Sequence, residues 1–143
     1  MAITKYATAH WAGGLKDGKG EISTQSGALK PQPYGCNTRF EDKPGTNPEE
    51  LLGAAHAACF AMALSGILGG AGLTATSLDA KSEIVLDKQG EGFAITHAKL
   101  TLEAVIPGAT EAQFKELAEK AKAGCPVSKL FDATITLDAK LKG

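Results

Sequence analysis

The sequence predicts an α+β fold, with antiparallel strands arranged around one central buried helix. Three observations lead there. Stretches of alternating apolar and polar residues fall before residue 40, between residues 78 and 106, and after residue 134. A single run beginning at Leu51 is apolar on nearly every side. Hairpin-type turns, Asp17-Gly18 and the Lys88–Gly92 stretch, join consecutive strands, which favours antiparallel pairing.

Taken in order, Tyr6 to Trp11 reads as a strand, and Gly13-Gly14 with Asp17-Gly18 turns it into a second strand over Glu21–Thr24. Pro31, Pro33 and Gly35 break the next stretch, leaving Asn37–Phe40 as a short edge strand. Asn47-Pro48-Glu49-Glu50 is a helix start: an N-cap, a proline in the first turn and a glutamate three residues after the cap. The helix that follows carries Leu51, Leu52, Ala54, Ala55, Ala57, Ala58, Phe60, Met62 and Leu64, and Gly69-Gly70 with Gly72 ends it. Leu78, Ala80, Ser82, Ile84 and Leu86 alternate with Asp79, Lys81, Glu83 and Asp87, and a second long strand runs from Ala94 to Ile106. Thr110 caps a helix whose inner stripe is Phe114, Leu117, Ala118 and Ala121. Gly124-Cys125-Pro126 interrupts it, Val127–Phe131 resumes as a short helix, and Thr134 to Leu141 is the last strand. No linker or repeat divides the chain, so residues 1–143 read as one domain.

Composition narrows the function classes. The chain has 43% hydrophobic and 22% charged residues and a net charge of −1, as a globular domain does. Its lysines are scattered, with no stripe for a nucleic-acid backbone and no polybasic segment for a membrane. The run from Leu51 to Ala75 is too rich in small residues for a membrane span and fits a core helix. The first twenty residues lack the apolar stretch of a signal peptide, so a cytoplasmic location with reduced thiols is expected. No CxxC, HExxH, GxGxxG or P-loop occurs.

That leaves three cysteines open to redox work, metal binding or packing. Cys59 lies about three turns into the apolar helix, where position alone favours packing, since burial raises a thiol pKa. Cys125 precedes Pro126 at a helix start, where free N–H groups favour a thiolate. Cys36, between turn-like neighbours, reads as incidental. His56 is three residues before Cys59 on the same helix face and reads as a core or interface histidine. A metal- or ligand-binding module built from Cys59, His56 and Cys125 is the competing reading. His10 and His97 have no neighbouring ligand residues. Arg39 is the only arginine; its fork of donors can hold a thiolate or a peroxide oxygen, and a lone arginine fits an ordinary surface position equally well. Glu49 and Glu50 complement the helix dipole. Glu49 and Cys59 are ten positions apart, about 15 Å along a helix axis, so one helix cannot bring them together. If Glu49 orients Arg39 over a thiolate, that pair serves the Cys59 of another chain.

Two motifs carry a resemblance. Asn37-Thr38-Arg39-Phe40 followed by Gly45 through Phe60, and Lys122-Ala123-Gly124-Cys125-Pro126-Val127-Ser128, resemble the osmotically inducible protein C (OsmC/Ohr) family. The likeness extends through most of the chain. It implies an OsmC-like fold in an intertwined homodimer, with active sites at the interface and no metal or flavin. It implies reduction of organic hydroperoxides, and more weakly hydrogen peroxide, with an external dithiol of lipoyl or thioredoxin type as reductant. Carried over, Cys59 is the peroxidatic thiolate and Cys125 the resolving thiol that forms a disulfide with it. Arg39 lowers the Cys59 pKa and holds the peroxide, and Glu49 orients Arg39. In the Ohr branch the arginine lies earlier, in the first hairpin. This hairpin has none, and an arginine after Tyr34-Gly35 resembles the OsmC branch. The family pattern gives Cys36 no role.

Overall fold

A computed structural model describes residues 1–143, which divide into two units, residues 1–51 and 52–143. In the first, β1 (Ala7–Ala12) and β2 (Lys19–Thr24) form the expected hairpin, and β3 (Gln32–Tyr34) pairs antiparallel on the open side of β2. Pro33 is tolerated because β3 is an edge strand. Trp11 and Tyr34 meet across this sheet with ring centroids 5.5 Å apart, directly over Gly20, where a Cβ would clash with both rings.

The stretch expected as an edge strand, Asn37–Phe40, is instead helical: α1 spans Cys36–Phe40. Its turn is fixed by Thr38, whose hydroxyl accepts the Gly35 N–H at 2.9 Å and donates to the Gly35 carbonyl at 3.0 Å. This local bonding outcompetes strand pairing, as Ser and Thr side chains do at chain turns.

Asn47 caps the long helix α2 (Pro48–Gly70) as the sequence predicts, its side-chain oxygen accepting the Glu50 N–H at 2.8 Å. The same amide bonds the Thr38 carbonyl at 3.1 Å and the Glu50 carboxylate.

In the second unit, β4 (Ser77–Gln89) and β5 (Gly92–Val105) form a long antiparallel hairpin. Then α3 (Glu111–Gly124) and α4 (Pro126–Leu130) lead to β6 (Thr134–Leu141). Thr110 caps α3 by accepting the Gln113 N–H at 3.1 Å. The last strand departs from the expectation of antiparallel sheets, because β6 pairs parallel to β5. The α3–α4 connection supplies the crossover that a parallel pair requires.

The core unites α2, α3 and the inner row of β5. Phe60, Leu64, Leu68, Leu100, Leu102, Ala104, Phe114, Ala118 and Ala121 have no exposed surface. Helix α2 is long and apolar enough to cross a membrane by length and composition alone. It serves as a core helix through one stripe, Gly53, His56, Phe60, Leu64 and Leu68. Outside that stripe Met62 is 78% exposed, and Ala54, Ala55 and Ala58 are exposed too.

Gly53 sets how closely α2 approaches β4. A Cβ there would sit 2.8 Å from the Ser82 carbonyl oxygen, a backbone atom that cannot swing away. Gly53→Ala gains helix propensity but forces the two elements apart. A net loss of about 1–2 kcal/mol is expected in urea unfolding.

Candidate active site

The candidate side chains form two clusters, one in each unit. In the first, Arg39 at the end of α1 donates two parallel hydrogen bonds to Glu49 in the first turn of α2, Nε to Oε1 and Nη2 to Oε2, each at 3.0 Å. This fork-to-fork geometry fixes the guanidinium plane and leaves its Nη1 edge directed elsewhere. The Glu49 side chain is only 12% exposed, and the Arg39 guanidinium lies 5.4 Å from the Phe40 ring centroid. The sequence-predicted pairing of Arg39 with Glu49 therefore exists as an ion pair. Cys36, the first residue of α1, is a half-buried free thiol in this unit.

In the second unit, Cys59 and Cys125 are free thiols near enough to shift each other's ionisation. Cys59 stands on α2 at the margin of the core and is half-buried, whereas Cys125 has no exposed surface. Cys125 links two helices. Its N–H closes α3 on the Ala121 carbonyl, and its Sγ accepts the Ser128 N–H at 3.5 Å at the start of α4. Pro126 at the first position needs no such partner, so the break in the helix presents the sulfur to the remaining donors.

The two thiols are pushed in opposite directions. Burial and the hydrogen bond with Cys125 push the Cys59 thiol up, against a weaker pull from the Val127 N–H. Burial opposes ionisation of Cys125 as well. There, hydrogen bonds from Cys59, from the Ser128 N–H and hydroxyl and from the Val127 N–H outweigh it and hold the thiol below its ordinary value. The lowering of the Cys59 pKa expected from Arg39 is thus not produced by the groups around Cys59 in this unit.

His56 is fully buried and neutral, its pKa lowered by burial. Its Nδ1 lies 2.8 Å from Ser82 Oγ on β4 and its Nε2 2.9 Å from Ser128 Oγ on α4. Both ring nitrogens are therefore engaged by hydroxyls. No group of three His, Cys, Asp or Glu side chains has a metal-holding arrangement, so the metal module of Cys59, His56 and Cys125 does not form. His97 bonds Thr136 across the β5–β6 pair at 2.9 Å. Ser82 and Ser128 carry no expectation from the sequence. The available signal is Ser82 itself, a hydroxyl in the otherwise apolar inner row of β4.

Residues 40–140 match the model of the OsmC-like protein family. The chain belongs to this family. Over 142 residues, 99% of each chain, it is 57% identical to peroxiredoxin OsmC of Escherichia coli strain K12. It is 28% identical over 124 residues to the organic hydroperoxide resistance protein OhrB of Bacillus subtilis, covering 86% of this chain and 89% of that one. The crystal structure of B. subtilis OhrB superposes with a TM-score of 0.70 at 25% identity, covering 98% of each chain. An organic hydroperoxide resistance protein OsmC from Legionella pneumophila superposes with a TM-score of 0.72 at 25% identity, covering 100% of this chain and 99% of the other. The α+β class and the OsmC-like fold expected from the sequence hold.

Proposed function

We propose that this OsmC-family chain is a cytoplasmic cysteine-based peroxidase that reduces organic hydroperoxides, and hydrogen peroxide more weakly. Cys59 attacks and Cys125 resolves. The observation that carries the reading is the pair of free thiols Cys59 and Cys125, near enough to shift each other's ionisation, in a chain 57% identical to a named peroxiredoxin.

Exposure separates the roles. Cys125 has no solvent-accessible surface and cannot meet a peroxide, whereas Cys59 is half-buried beside apolar core residues that suit an alkyl group. The Cys59 thiolate attacks the terminal peroxide oxygen. The O–O bond breaks, the alkoxide leaves and takes a proton as alcohol, and Cys59 becomes a sulfenic acid. The Cys125 thiolate then attacks that sulfur, the S–S bond forms and hydroxide departs as water. An external dithiol, of lipoyl or thioredoxin type, reduces the disulfide by exchange.

Burial pushes Cys59 up, so the first step needs a cation that its own unit does not supply. Arg39 takes that role, oriented by Glu49 and acting on the Cys59 of a second copy in a homodimer. Two features support this. Helix α2 runs unbroken from Pro48 to Gly70, keeping Glu49 about 15 Å from Cys59 along its axis. The apolar positions of α2 that the core leaves exposed, Met62 among them, suit contact with another chain.

One equivalent of an alkyl hydroperoxide is expected to convert the chain to a species two hydrogens lighter, with Cys59 and Cys125 joined in the peptide map. Cys125→Ser is expected instead to gain one or two oxygens on Cys59. A disulfide involving Cys36, or oxygen added elsewhere, would sink the assignment.

A further inference from the structure

His56 takes no part in the steps above, yet it is the fully buried polar side chain at the centre of a chain of hydrogen bonds ending on Cys125. The chain runs Ser82 Oγ to His56 Nδ1 at 2.8 Å, His56 Nε2 to Ser128 Oγ at 2.9 Å, and Ser128 N–H to Cys125 Sγ at 3.5 Å. The imidazole is also held by Phe131, the residue that ends α4, with ring centroids 4.8 Å apart.

We propose that His56 is a positioning residue for Cys125: donating its Nε2–H to Ser128 Oγ, it turns the single Ser128 hydroxyl proton onto the Cys125 sulfur. The argument is one of counting. A neutral imidazole carries one N–H and one bare nitrogen, and a serine hydroxyl has one proton to give. Were Nε2 bare, Ser128 would spend its proton on it and face Cys125 with a lone pair. With the proton on Nε2, Ser128 accepts from the ring and its own proton is released toward the thiolate. Ser82 completes the set by donating to Nδ1.

Burial keeps His56 neutral, so the choice of tautomer matters, and the Ser128 hydroxyl is among the groups that bond the Cys125 sulfur. Cys59 is the other ionisable group facing Cys125. Its remaining polar neighbours, Val127 and Ser128, bring only N–H and O–H donors. The network thus gives the thiol that must attack the Cys59 sulfenic acid two donors from one residue. The functional weight of this inference rests on Cys125 being the resolving thiol, but the hydrogen-bond claim does not.

The test is ultraviolet titration of the Cys125 thiolate in a Cys59→Ser background, with Cys59→Ser/Cys125→Ser as the blank. Ser128→Ala keeps the backbone donor and removes the hydroxyl. It is expected to raise the Cys125 pKa by about one unit, a tenfold weaker acid. His56→Asn, whose amide falls near Nδ1, is expected to do the same. His56→Gln, whose amide falls near Nε2, retains a donor to Ser128 and is expected to titrate as the parent does. An unmoved titration in Ser128→Ala overturns the proposal, as does identical behaviour of the two His56 variants. A raised Cys125 pKa, together with undiminished peroxide turnover when Ser128→Ala is made with Cys59 intact, supports the positioning role and counts instead against Cys125 as the resolving thiol.

Discussion

Cys59→Ser is expected to lose hydroperoxide turnover by roughly a thousandfold or more, the scale on which enzymes lose rate when their nucleophile is removed. A hydroxyl is a far weaker nucleophile toward an O–O bond than a thiolate. The fold should survive, because Cys59 lies at the margin of the core and serine is nearly its size. Thermal unfolding within a degree or two of the parent would separate lost chemistry from lost structure. The result is not a foregone one. Within a single chain Cys125 is the thiol held down and Cys59 the one pushed up, so acidity alone would name Cys125 as the attacker. Exposure argues the other way. A Cys59→Ser chain that still consumed peroxide would mean that Cys125 becomes reachable and that acidity had won.

Arg39→Ala should produce the second-largest effect, about a hundredfold lower rate at neutral pH, comparable to removing one preorganised donor from a reacting site. Its pH profile carries the sign. Without the guanidinium, the half-buried Cys59 keeps its raised pKa, so less thiolate is present near neutrality and the rate recovers as pH rises. Arg39→Lys should recover only part of the rate, since an ammonium cannot make the two-pronged contact with Glu49. Mixing Arg39→Ala with Cys59→Ser chains adds a topological test. If the site is shared between copies, free exchange restores roughly a quarter of the wild-type sites, because half the pairs carry one intact combination. A mixture no more active than the two components would place the whole site in one chain.

Much of this was legible in the sequence wherever a signal was local. The Asn47 cap, the Thr110 cap, the Gly90 turn region and the alternation of β4 and β6 all lie where pattern and turn chemistry put them. The signals failed where a non-local choice decided the outcome. Residues 37–40 have strand-like composition, but one threonine hydroxyl folds them onto Gly35. Alternation gives the faces of β6 but not its direction, and the two-helix crossover makes parallel pairing with β5 available. The site shows the same division. Two motifs single out Cys59, Cys125, Arg39 and Glu49 as candidates, and of the contacts they suggest the Arg39–Glu49 ion pair is present. Ser82 and Ser128 were not visible, because they matter only once β4 and α4 close on His56 from positions 26 and 72 residues away.

The parallel strand pair also dictates an order of assembly. The β4–β5 hairpin closes across a turn at Gly90 and Glu91 and should form within about microseconds. By contrast, β6 meets β5 only after the chain between His97 and Thr134 has looped back with α3 and α4 in place. Cys125 sits inside that loop and Cys59 on α2, so the two sulfurs are strangers until this slow closure happens. A chain caught by oxidant before then would have no neighbouring thiol to rescue Cys59 and would pass to the irreversible sulfinic and sulfonic states. Newly made protein should therefore be the fraction most easily lost to oxidant.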